Sequence, residues 1–346
     1  GNVSLPTNSS LIKGASSLFG LRADLQFGKL KLQTVVSQKK SASKSVSSKG
    51  GTQTHNYEFS ATEYEENRHF FLAHFFREHY DQNMSKLPTV MSGVTIKRIE
   101  LWVTNKTGSY ESNRNIVAFT DLGEHDHISN PIWSKGNVQV AANAANTLYS
   151  TMTTQHAAAR DISQTSSDLD AIAGFEGSVD YEKLQSARLL SSSEYTVNNS
   201  LGYVSLNFTL QPDEVLAVAF EYTYNGTTYQ VGEFSADLTD NTQALFVKAL
   251  KNTSNTPQMG NWDLMMKNVY SLGATTTQKD KFKLDIQYQS DSAGVYVSYI
   301  PEAKYKNTKL LRVMNLDRLD ANNRPNPNGQ FDYVEGYTIN LSLIHI

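Results

Sequence analysis

The 346-residue chain has no cysteine, which excludes disulfide staples, thiol nucleophiles and thiolate metal sites. It has no run of about twenty apolar residues, so a bilayer could be crossed only by the strands of a β-barrel. It lacks any excess of positive charge: 31 basic side chains face 34 acidic ones, for a net charge of −3, and nothing draws it toward nucleic acid. Nucleotide-binding glycine loops, a Gly-x-Ser-x-Gly elbow and a metallohydrolase His-Glu spacing are also missing, so neither an enzyme nor a bound cofactor is expected. No signal peptide follows Gly1, and a piece of a longer protein is expected. The closing "LSLIHI" resembles translated sequencing-adapter sequence and carries no structural weight. What is abundant is tyrosine, 18 residues against 15 phenylalanines, among many Asn, Ser and Thr, a composition suited to half-exposed strands.

In "GLRADLQFGKLKLQTVVSQ", residues 20–38, Leu21, Ala23, Leu25 and Phe27 alternate, and the phase then slips so that Leu30, Leu32, Thr34 and Val36 alternate. A two-residue turn at Gly28-Lys29 accounts for the slip, pairing Phe27 with Leu30, Leu25 with Leu32, Ala23 with Thr34 and Leu21 with Val36. All the apolar residues then share one face, opposite Arg22, Asp24, Gln26, Lys31 and Gln33, with Val35 alone out of pattern. Such a ribbon fits a soluble sheet, its apolar face on a core, or an outer-membrane barrel wall, its apolar face on lipid. Periodicity alone favours the soluble sheet.

Residues 37–50 hold six Ser and four Lys and read as a flexible loop, with a basic patch for lipopolysaccharide or nucleic acid as the alternative. A long amphipathic helix is expected from Thr62 to the Leu87-Pro88 boundary. Thr62 and Glu65 form its capping box, and Leu72, Phe76, Tyr80 and Met84 form its stripe. His69, His74 and His79 recur every five residues, an advance of about 500° that spreads them round a helix and argues against a metal site. The segment "GEHDHIS" at 123–129 reads as a polar loop.

From Val94 the pattern turns to β. "GVTIKRIELWVTNKTG" is followed by "NRNIVAFTDLGE" as its partner strand, residues 139–174 are weakly helical, and Asn225-Gly226 marks a type I′ hairpin pairing Tyr224 with Thr227, Tyr222 with Tyr229 and Phe220 with Val231. A short helix is expected at "NWDLMMKNVYSL" and strands at "FKLDIQYQ" and "GVYVSYIPE". The segment "LDANNRPNPNGQFDYVEG" sets Asp320, Asn322, Asn326, Asn328 and Asp332 around Gly329. A tight turn explains these residues better than a calcium loop, whose terminal Glu is missing.

Several long blocks in order, among them "KGASSLFGLRADLQFGKLKLQ", "YEENRHFFLAHFFREHYD", "LAVAFEYTYNGTTYQVGEF" and "LLRVMNLDRLDANNRPNPNGQFDYVEGYTI", resemble the outer-membrane translocon family of the type IX secretion system, the SprA/Sov gliding-motility family of Bacteroidetes. The resemblance implies a mainly β fold with an α+β insertion: barrel strands at 1–38 with the hairpin 20–38, a Ser/Lys-rich loop at 39–57, a water-facing antiparallel-sheet domain with helices at 58–300, and a loop leading to further strands at 301–346. It implies outer-membrane lipid against Leu21, Ala23, Leu25, Phe27, Leu30, Leu32 and Val36. It also implies export of folded cargo through a channel, and secreted cargo and accessory subunits as partners, with no nucleic acid. A soluble β-rich surface or periplasmic module binding protein or glycan is the alternative.

Overall fold

The computed structural model describes residues 56–106, 108, 112–272, 278–289, 294–300 and 305–340, together with the strand backbone at 2–3, 18–27 and 30–37. The expected turn at Gly28-Lys29, most of the Ser/Lys loop and the last six residues lie outside these. The chain divides into two compact units, 1–62 and 63–346.

In the first unit β1 (Asn2–Val3), β2 (Leu18–Phe27) and β3 (Leu30–Ser37) form an antiparallel sheet in that order. The β2–β3 register is the one the alternation requires, with Phe27 opposite Leu30, Leu25 opposite Leu32, Ala23 opposite Thr34 and Leu21 opposite Val36.

The second unit is mainly β with few helices. Its elements begin with β4 (His69–Phe71), α1 (His74–Asn83), β5 (Val94–Val103), β6 (Asn113–Phe119), α2 (Leu148–Gln155) and α3 (Thr165–Leu169). They continue through β7 (Tyr181–Leu189), β8 (Tyr195–Asn198), β9 (Tyr203–Leu206), β10 (Leu216–Tyr224), β11 (Thr227–Val231) and β12 (Leu245–Lys251). The two-residue strands β13 (Tyr288–Gln289) and β14 (Tyr296–Val297) and the single turn α4 (Leu310–Val313) follow.

Five strands close into a barrel in the order β5-β10-β12-β6-β7, with β7 returning to β5 and β11 hung on the far half of β10. The expected antiparallel sheet is corrected at one seam: β12 and β6 run parallel, Leu245 opposite Ile116 and Lys248 opposite Phe119. The expected pairing of 94–103 with 113–119 also fails, because β10 takes one side of β5 along its whole length and β7 takes the other at Trp102 and Val103.

One face of all five strands meets in a cluster to which no helix contributes, and this cluster fills the barrel: Trp102, Ile116, Ala118, Leu184, Ala187, Ala217, Ala219, Leu245, Val247 and Ala249. Five strands leave a lumen narrower than that of an eight-stranded barrel, so alanines on four strands surround one tryptophan. The guanidinium of Arg98 sits 3.8 Å above the Phe234 ring that also joins this cluster. The outer strand faces pack on α1, α2, α3 and the small sheet β4-β9-β8. Burial of both faces explains why β12 is buried at all seven positions.

The expected long helix is corrected to the ten residues of α1. Residues 69–71 pair instead with β9, His69 opposite Ser205, and the helix starts after Ala73 with no side-chain cap. Glu65 is engaged with Arg68 at 2.6 Å and His69 at 3.0 Å. The aromatic stripe is real: Phe76 is buried against Phe220 and Tyr222, ring centroids 5.9 and 5.1 Å away, and Phe75 meets Tyr224 at 5.3 Å. Two further expected helices are shorter in the fold: the Ala-rich stretch becomes α2 only from Leu148, and "NWDLMMKNVYSL" holds one 3-10 turn at Trp262–Leu264.

At the β10–β11 turn Asn225 and Gly226 have φ of 49° and 85°, the two left-handed positions of a type I′ turn, and the three expected cross-strand pairs all form. Gly226→Val is expected to cost about 1 kcal/mol, as a β-branched residue is forced to positive φ, and urea unfolding of the whole chain reads it.

Candidate functional site

Two features are candidates. The first is the ribbon, whose register sets the positions of Leu21, Ala23, Leu25 and Phe27 across from Val36, Thr34, Leu32 and Leu30. Residues opposed across strands share a face, and alternation places all seven apolar positions on it. The other face receives Arg22 opposite Val35, Asp24 opposite Gln33 and Gln26 opposite Lys31. With ten and eight residues, the two strands are close to the nine to eleven that a tilted membrane strand needs.

The second is a charge cluster buried where β12 meets the loop after β6. Lys248 has no exposed surface, and its Nζ donates to the carbonyls of Thr120 and Leu122 at 3.2 and 3.0 Å while lying 2.7 Å from Glu124 Oε1. The same carboxylate oxygen lies 3.0 Å from His74 Nδ1 and accepts the His74 backbone N–H, which locks the first turn of α1 to the barrel end. The His74 ring stacks on His127 at 4.5 Å, and His127 reaches Glu78 at 2.6 Å. Burial pushes the Glu124 carboxyl up, but Lys248 and then His74 pull it down to about 2. Asn146 ties the loop by donating to the carbonyls of Asp121 and Glu124, both at 2.7 Å. Asp121 accepts the Ser129 and Asn130 N–H groups, yet burial raises its carboxyl.

The segment 123–129, expected to be a polar loop, therefore hides a fully buried carboxylate. Sequence reasoning missed Glu124 and Lys248; the available signal was a lysine inside "LFVKALK", a strand otherwise nearly all apolar. His74 and Glu78, four residues apart on α1, do not pair, as each takes a partner from 123–129 instead. His69 lies in β4, between Ser205 and Glu65, and His79 bonds the Phe75 carbonyl.

A second clamp holds α2 and the turn after it. Arg160 meets both Glu233 oxygens at 2.8 and 2.6 Å and lies 4.1 Å over the Phe246 ring, while the Tyr149 hydroxyl donates to Glu233 at 2.9 Å. Both clusters tie loops and helices to the barrel through charged groups that meet within the fold.

In the expected turn at 319–336 the carboxylates are spent on backbone. Asp317 accepts the N–H groups of Asn328 and Gly329, Asp320 those of Asn322 and Arg324, and Asp332 those of Arg318 and Leu319. Among the described residues no group of three or more His, Asp or Glu side chains is placed to hold a metal ion. Among them, too, no helix is long and apolar enough to cross a membrane.

A family model described as motility related/secretion protein, SprA_N, matches residues 1–229, a span containing the ribbon and the first four strands of the barrel. No curated protein matches the chain.

Proposed function

The chain belongs to the SprA_N family of motility-related and secretion proteins, and from that membership we propose that it is a segment of an outer-membrane channel exporting folded type IX cargo. In this reading β2 and β3 are wall strands. Leu21, Ala23, Leu25, Phe27, Leu30, Leu32 and Val36 meet lipid, while Arg22, Asp24, Gln26, Lys31 and Gln33 face an aqueous passage. Residues 58–300 are a water-facing insertion that receives cargo or accessory subunits. It works as a scaffold and not as an enzyme.

The observation that carries the reading is the ribbon register, which segregates seven apolar positions from charged ones over near-membrane length. The second reading, a soluble surface or periplasmic module binding protein or glycan, draws its support from the closed barrel of 63–346 with its own packed interior.

In the full-length parent, Leu25→Asp or Leu32→Asp is expected to reduce both outer-membrane assembly and delivery of a type IX cargo to the cell surface. A charge on a lipid face costs about 2–4 kcal/mol near the midplane for basic residues and less for acidic ones. Arg22→Ala and Gln26→Ala should leave both readouts near wild type. Equal tolerance on the two faces would remove the wall-strand reading and leave the soluble module.

A further inference from the structure

Ten large apolar side chains stay exposed among the described residues, and six of them, Val295, Tyr296, Tyr299, Tyr305, Val313 and Met314, fall within one stretch of twenty residues. The fold brings the two halves of that stretch together. The Leu310 N–H donates to the Ser298 carbonyl at 2.8 Å, which sets β14 beside α4. Leu310 and Leu311 are buried and anchor the turn, while Val313 and Met314 at its end stay exposed.

The charge here differs from that of the chain as a whole. Residues 294–300 and 305–315 contain Lys306, Lys309 and Arg312 and no Asp or Glu, although the protein is net acidic, and Glu302 and Lys304 between them cancel. All three cations are exposed. Arg312 is partly answered by buried Asp317 at 3.2 Å, and among the described residues Lys309 makes no ion pair and reaches the Gly329 carbonyl. Lys306 makes no ion pair among the described residues.

Protein interfaces are depleted of lysine at their centres, whereas tyrosine and aliphatic groups rimmed by lysine match the boundary between hydrocarbon and anionic headgroups. We propose that the β14–α4 face is a membrane-surface site that rests on anionic lipid headgroups, with Tyr296, Tyr299 and Tyr305 at headgroup level and Val295, Val313 and Met314 beneath them. The site is separate from the ribbon and stands whether or not the ribbon spans a bilayer.

The absence of cysteine makes the test specific to the site. Met314→Cys in the full chain takes a single environment-sensitive maleimide dye. Its emission is expected to shift to the blue on phosphatidylcholine vesicles containing about one-third phosphatidylglycerol, and to return at about 1 M salt, where screening shortens to a few ångströms. Neutral phosphatidylcholine vesicles should give no shift, and the same dye on Ile132→Cys, exposed elsewhere, should stay silent. Lys306→Gln and Lys309→Gln should each weaken vesicle binding by about fivefold. Adding Leu25→Asp to the labelled chain removes the ribbon's contribution, and a persisting shift then belongs to the β14–α4 face alone. The proposal is overturned if no shift occurs on anionic vesicles, if neutral vesicles shift the dye equally, or if the shift appears without lipid and grows with protein concentration, which would mean that a second copy covers the face.

Discussion

Replacing Glu124 with alanine is expected to destabilise the 63–346 unit by about 3–5 kcal/mol, because the change leaves the Lys248 ammonium buried without its counter-charge. Denaturant unfolding of the full chain, followed by the fluorescence of its three tryptophans, Trp102, Trp133 and Trp262, would read this as a lower midpoint at unchanged slope. Lys248 would keep its two carbonyl acceptors, but those are dipoles and not a charge. Removing both charges in a Glu124→Ala, Lys248→Met double variant is expected to recover much of the loss, since two desolvated ions are removed together. A double variant as unstable as the single one would show that the lost stability came from packing.

The same pair gives a pH dependence with a definite sign. Folding lowers the Glu124 carboxyl from 4.5 to about 2, so the folded state holds the ionised form more tightly than the unfolded chain does. Its contribution, about 3 kcal/mol, is complete above the unfolded value and is lost as pH falls through the interval toward 2. Glu124→Gln should flatten that part of the acid-unfolding curve.

Phe76→Ala is expected to cost a similar about 3–5 kcal/mol, as the ring is 2 % exposed and touches Phe220 and Tyr222. Gly202 supplies an internal check. Its φ is +67°, and a Cβ there would run into the Phe76 ring, so Gly202→Ala alone combines overpacking with backbone strain. In the Phe76→Ala background the collision is gone and only the strain remains, so the second substitution should cost less than it does in the wild type. Additive costs in urea unfolding would mean that the two sites do not share that space.

Legibility in the sequence followed the range of the interactions. The hairpins at 20–38 and 220–231 could be read because turn and alternation sit within twenty residues and agree on one register. The helix was misplaced because "HFFLAHFF" satisfies a helical stripe and a short strand equally well. Pairing of 69–71 with β9, more than 130 residues away, decided between them. The parallel β6–β12 seam and the Glu124–Lys248 pair share this property, since each joins residues more than 120 apart that carry no local mark of their partner. Ser186 at φ 53° sits beside the register shift between Arg114 and Ile116, a bulge that the alternating pattern of β7 does not announce.

Barrel closure also sets an order of events in time. β5 finds its main partner only at residues 216–224, and the ring stays open until 245–251 has been made. At about 5–20 residues per second, the interval between residues 94 and 224 lasts roughly 6 to 26 seconds, during which β5 lacks its main partner and offers an unpaired edge. Loop-closure entropy must be overcome before any of those contacts form, so the unit is a slow, late-assembling one. In a nascent chain, therefore, a strand made more than a hundred residues later decides when β5 is safe from aggregation, and until then protection has to come from outside the polypeptide.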